Sequence, residues 1–226
     1  MRLRVEYKVG PELRFLGNLD MINLMKRALR RADIPYALGG GYNPNVKLSM
    51  GTVLPVGVWG EREYFDLELK EYLQPNEFIS KMNNTLPDNL KINQCMEINA
   101  KAPSLMKIIN SACYSIVVND TKKNLEQIVS QIINSKEIKV QGKGKKKNVI
   151  KDIRPGIYSI NMLQTKDSVI INIWVSTGDE INVRYDELET VIIDFGLNKD
   201  NIVDLFRYGN FVKEGNYFYN PLEKVK

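Results

Sequence analysis

The apolar residues of this chain change period in a set order, and that order limits the fold more than any motif does. Leu3, Val5, Tyr7 and Val9 alternate with Arg2, Arg4, Glu6 and Lys8. A period of two predicts a half-buried strand over 2–9. A Gly10-Pro11 break and a short apolar run at 13–16 follow. The period then lengthens: Met21, Ile22, Met25, Ala28, Leu29 and Ala32 make one stripe of a helix over 19–32. Asn18 is its expected N-cap, with Asp20 in the first turn. Strand-like runs at 46–58 and 62–70 come next. A helix near Pro75 carries Phe78, Ile79, Met82 and Leu86, and a strand covers 90–98. The order β-α-β-β-α-β is that of the ferredoxin-like unit.

The order then recurs. Residues 99–110 read as a connector. Tyr114, Ile116 and Val118 mark a strand, and Thr121 caps a helix carrying Leu125, Ile128, Val129, Ile132 and Ile133. Strands are expected near 137–141, 148–162 and 168–176, a helix near 184–194 and a last strand near 202–212. The expected fold class is therefore α+β, with two tandem ferredoxin-like units at 1–98 and 111–226, the second with an extra hairpin. The duplication rests on element order, since no internal sequence repeat is visible.

The 226 residues contain no histidine. That excludes imidazole metal ligands, Ser-His and Cys-His nucleophiles and an imidazole general base. Cys95 and Cys113 are too few and too far apart for a zinc or iron–sulfur site, and read as buried thiols. No metal and no cofactor is expected. No apolar run reaches the length of a membrane span, and the N-terminus begins a strand rather than a signal peptide, so a cytoplasmic protein without membrane partners is expected.

Charge is concentrated. The whole chain carries +5, while residues 139–154 alone carry seven basic side chains against Asp152. Gly142 and Gly144 make Lys143, Lys145, Lys146 and Lys147 a basic tip suited to phosphates, although a solvated hairpin has the same composition. Lys26, Arg27, Arg30 and Arg31 gather on one side of the first helix, another basic surface that a plain solvent face would also explain. Asp152-Ile153-Arg154-Pro155 either sets Arg154 beside the basic loop or forms an internal Asp–Arg pair.

Several segments carry a family resemblance. Residues 13–20, LRFLGNLD, resemble an LRFLSHLD-type box, and residues 27–32, RALRRA, match its helix end. GYNPNVKLS at 41–49 resembles GFNPHPKLS, and residues 54–58 read LPVGV. Ala102-Pro103-Ser104-Leu105-Met106 and Asp152-Ile153-Arg154-Pro155 also fit. The series resembles, over nearly the whole chain, the bacterial radical-SAM-associated proteins of unknown function. The resemblance implies a domain fused to or encoded beside a radical SAM protein, often near ribonuclease E/G, and an RNA-related or radical-SAM-accessory role. Here Gly17-Asn18 replaces Ser-His, Asn45 replaces the second histidine and Val46 the following proline. Asparagine keeps hydrogen bonding without titrating, which favours binding over catalysis at these positions. The chain lacks the CxxxCxxC motif, so it is not itself a standard radical SAM enzyme.

The connections of a split βαβ unit are expected to bring Arg14 and Lys47 beside the first helix. With Asn18, Asn43, Asn45 and Ser49 they would form a polar pocket for a phosphate or a base edge, with Tyr42 stacking on a base. The alternative is that Arg14 pairs with Asp20 and the turn residues only shape the turn. Gly39-Gly40-Gly41 lacks the features of a phosphate loop. The expected function is a non-catalytic RNA-binding module, with tRNA or rRNA as partner. The alternatives are a subunit docking to a radical SAM enzyme, or a His-free RNA-cleaving or RNA-modifying enzyme using Lys47, Tyr42 or Asp20.

Overall fold

The computed structural model describes residues 1–42, 44–142 and 149–224. The chain is α+β and divides into two units. One comprises Met1–Ile109 with Arg207–Lys226, the other Asn110–Phe206. The C-terminal segment, which the element order assigns to the second repeat, thus groups with the first unit.

The first unit is built from β1 (Arg2–Val9), α1 (Asn18–Arg31), β2 (Leu48–Met50), β3 (Trp59–Glu68), α2 (Pro75–Asn83), β4 (Leu90–Ile98) and α3 (Leu105–Ile108). β10 (Ile202–Glu214) contributes its residues 207–214, and β11 (Tyr217–Tyr219) pairs with it. The strand order is β4-β1-β3-β10, and β1 is antiparallel to both β3 and β4. The run at 46–58 is mostly not strand. Only Leu48–Met50 forms a strand, opposite Phe65–Leu67, because Gly51, Pro55 and Gly57 break the ladder beyond it. The other outer-edge neighbour of β3 is β10, with Gly209 close to Arg62.

Leu3, Val5, Tyr7 and Val9 face α1 and α2, packing on Met21, Met25, Leu29, Phe78 and Met82. Full burial of each such side chain contributes roughly 1.5–3 kcal/mol. The opposite face of β1 is not solvated as a half-buried strand would be. Arg4 is 0% exposed and bonds Asp66 and the carbonyls of Pro103 and Pro221. Glu6 accepts from Tyr64 Oη at 2.6 Å and from Asn220. Charges can be buried there because each finds a partner. Gly17, not Asn18, occupies the N-cap position of α1, and Asn18 is the first helical residue.

The second unit contains β5 (Ser111–Val118), α4 (Lys122–Asn134), β6 (Lys139–Gln141), β7 (Ile150–Asp152), β8 (Ile157–Gln164), β9 (Val169–Ser176) and α5 (Tyr185–Asp194), with residues 202–206 of β10. Its strand order is β10-β5-β9-β8, while β6 and β7 form a separate hairpin. The run at 148–162 is split into β7 and β8 by a 3₁₀ turn, Arg154–Gly156, where Pro155 has no amide hydrogen to give to a ladder. Thr121 caps α4 by accepting from the Asn124 amide. Ile116, Val118, Leu125, Ile128, Ile171, Ile173 and Leu188 lie in one core.

Candidate functional site

The inward stripe of α1 is consumed by the core, so its outward face is what the helix offers to a ligand. Arg27, Arg30 and Arg31 are exposed, and among the described residues none has a carboxylate partner. Arg30 and Arg31 sit in the last turn, where a cation also complements the helix dipole.

The segment after α1 returns alongside the helix. Ala37 donates to the Glu68 carbonyl, Lys47 to that of Ala37, and Gly39 to that of Asn45 at 2.8 Å. Leu38 and Val46 form an isolated bridge. The turn between them needs Gly41, whose φ is +109°, and Tyr42 is wholly exposed at its tip.

Between this segment and α1 lies a groove of about 450 Å³. Asn23, Lys26, Arg27 and Arg30 form the helix wall; Tyr36, Leu38, Asn45 and Val46 form the other. Lys26 Nζ donates to Asn45 Oδ1 at 3.3 Å, linking the walls. A second groove, also about 450 Å³, lies on the other flank of α1. Arg31, Asp20, Asn23 and Arg27 line it, facing Thr85 and Pro87. Asn23 and Arg27 belong to both grooves.

The remaining expected site residues are distributed elsewhere. Arg14 bonds the Pro11 carbonyl at 2.9 Å rather than Asp20, and its own carbonyl accepts from Gly57. Lys47 is ion-paired with Glu68 at 2.6 Å. Neither lines the first groove, so the Arg14–Lys47 pocket expected from the sequence is not the arrangement found. Asn18 lines a separate cleft of about 20 Å³ with Tyr7, Thr52 and Leu54, room for a single water. Ser49 is exposed on β2. Arg154 donates to the carbonyls of Ile133 and Ile157, while Asp152 accepts from the backbone amides of Ile138 and Arg154; the internal Asp–Arg side-chain pair does not form. Asn43, Lys143, Lys145, Lys146 and Lys147 lie outside the described residues. Tyr36 and Leu38 were missed as lining residues; their two-residue spacing after Pro35 was the available signal.

Among the described residues, no group of three or more Cys, Asp or Glu could hold a metal, and no helix is long and apolar enough to cross a membrane. Cys113 is buried, Cys95 partly so, and burial pushes both thiols up to about 12.

Residues 2–185 match the family model described as "Uncharacterized protein conserved in bacteria (DUF2344)". The chain belongs to this family. The DUF2344 match takes in α1, both grooves and the first residue of α5. No curated protein matches the sequence. Among solved structures, a chain of "Crystal Structure of a Cbf5-Nop10-Gar1 Complex" is similar in fold, with a TM-score of 0.51 and 12% identity. The alignment covers 94% of this chain and 50% of that one, so the DUF2344 chain spans about half the length of its structural neighbour.

Proposed function

We propose that the chain is a non-catalytic, cytoplasmic RNA-binding module of two ferredoxin-like units, acting on tRNA or rRNA in modification or processing. The observation that carries this reading is the outward face of α1: Arg27, Arg30 and Arg31, exposed and without carboxylate partners among the described residues, beside two grooves. Unpaired guanidinium groups bind phosphate without first breaking an internal ion pair. The two-unit reading is supported by the similar strand orders, β4-β1-β3-β10 and β10-β5-β9-β8. The Lys143–Lys147 segment adds a second basic stretch in sequence.

The test is an RNA titration at several salt concentrations. For a single strand, log K falls against log salt by about 0.7 per phosphate engaged. Arg27→Glu with Arg30→Glu should abolish most affinity at low salt, and changing Lys143, Lys145, Lys146 and Lys147 to Glu should flatten the slope further. Affinity unchanged by the helix variant would sink the reading.

A second reading, docking to a radical SAM enzyme, is favoured by a different surface. Phe15, Leu19, Val53 and Val56 are each more than half exposed. The 2.7 Å bond from the Gly57 amide to the Arg14 carbonyl brings the two loops together. Clustered exposed apolar side chains are typical of protein contacts. Co-purification that survives ribonuclease and high salt, and is lost in Phe15→Ser with Val56→Ser, would support it; failure to form the pair would count against it.

A further inference from the structure

We infer that the RNA engaged by α1 is an unpaired strand, which crosses the helix from one groove to the other with a nucleobase seated against Leu38 and Tyr36. This rests on the RNA-binding reading above. Asn23 and Arg27 line both grooves, so the two adjoin across a single ridge that a strand can cross. A helix is about 10 Å across, so a strand taking this track presents more than one nucleotide to it.

The two sides of the track differ in chemistry. Arg27, Arg30 and Arg31 supply cations along the ridge, suited to the sugar–phosphate backbone. The wall of the first groove facing them is largely apolar: Tyr36, Leu38 and Val46, with Leu38 42% exposed. A ligand presenting only phosphates would leave that wall wet. A nucleobase has a flat face that covers it and polar edges that the Asn23 amide can meet. Tyr42, wholly exposed and without a hydrogen bond or ring contact among the described residues, is free to stack on a base. In an A-form duplex the base faces are hidden in the stack, and only phosphates, hydroxyls and base edges remain to be touched. Unpaired RNA is the form that satisfies both sides of the track.

The experiment compares the full chain's affinity, by fluorescence anisotropy at one salt concentration, for an oligo(U) RNA of about 12 nucleotides and for an RNA duplex of equal length. The strand should bind about tenfold more tightly than the duplex. Tyr42→Ala and, separately, Leu38→Asn should each weaken strand binding, Tyr42→Ala by about tenfold, and leave duplex binding unchanged. Tyr42 is wholly and Leu38 42% exposed, so thermal melts of both variants should match that of the native chain. A duplex that binds as well as the strand, or variants that weaken both alike, would overturn the inference while RNA binding stands. Absence of binding to either RNA, or binding indifferent to Arg27→Glu with Arg30→Glu, would overturn the RNA reading and the inference with it.

Discussion

Arg207 and Glu63, 144 residues apart, meet as a buried two-pronged pair, with Arg207 Nε 2.7 Å from Glu63 Oε1 and a terminal guanidinium nitrogen on Oε2. Neither side chain is more than 3% exposed, and Asn210 also donates to Oε2. Burial pushes the Glu63 carboxyl upward, and the guanidinium opposes that push. Arg207→Ala strands the carboxylate and should cost about 3–5 kcal/mol in urea unfolding. Glu63→Gln with Arg207→Met should cost less than the sum of the single changes, because neither partner is then left charged and alone.

Arginines of this chain divide by partner, and their stability effects should divide likewise. Arg27→Ala with Arg30→Ala should move the unfolding free energy by no more than about 0.5 kcal/mol, since no ion pair is lost. Arg4→Ala removes two bonds to Asp66 and two to backbone carbonyls, and should cost about 3–5 kcal/mol. Thermal melts of the two variants beside the native chain read this contrast directly.

Gly156 has no room for a side chain. A Cβ there would lie 2.6 Å from Ile181 Cγ2 and 2.7 Å from Val183 Cγ2. Gly156→Ala should therefore destabilise by about 1–3 kcal/mol, through overpacking. Combining it with Ile181→Ala should recover part of the loss, measured by denaturant midpoint.

The Cys113 thiol, paired in register with Trp174 across β5 and β9, is raised from 9.0 to about 12 by burial. A group whose folded pKa exceeds its unfolded value contributes stability that is complete below the unfolded pKa and lost as pH climbs through the folded one. The stability difference between the native chain and Cys113→Ala should thus stay constant below about pH 9 and shrink between 9 and 12. Denaturant titrations of both proteins across that window measure it.

Much of the element order was legible. The alternation of Leu3, Val5, Tyr7 and Val9 and the 3.6-residue stripe of α1 are local consequences of which face meets the core, and both lie where periodicity puts them. Pairing partners and covering layers were not legible. Val53, Leu54 and Val56 have strand-forming side chains, yet the glycines and Pro55 around them deny a ladder. Period two on β1 implied a wet polar face, but Asp66, Pro103, Tyr64 and Asn220 cover and pair its charges.

The candidate site divides the same way. Lys26, Arg27, Arg30 and Arg31 share a helix face by spacing alone, so the sequence by itself determined that one side of α1 is basic. Tertiary structure decided which cations stay available. Glu68 reaches Lys47, the Pro11 carbonyl receives Arg14, and carbonyls of Ile133 and Ile157 receive Arg154, while Arg27, Arg30 and Arg31 meet no carboxylate among the described residues. A residue's charge is written in the chain, but whether that charge is spent inside the protein depends on which acceptors folding brings within about 3 Å of it.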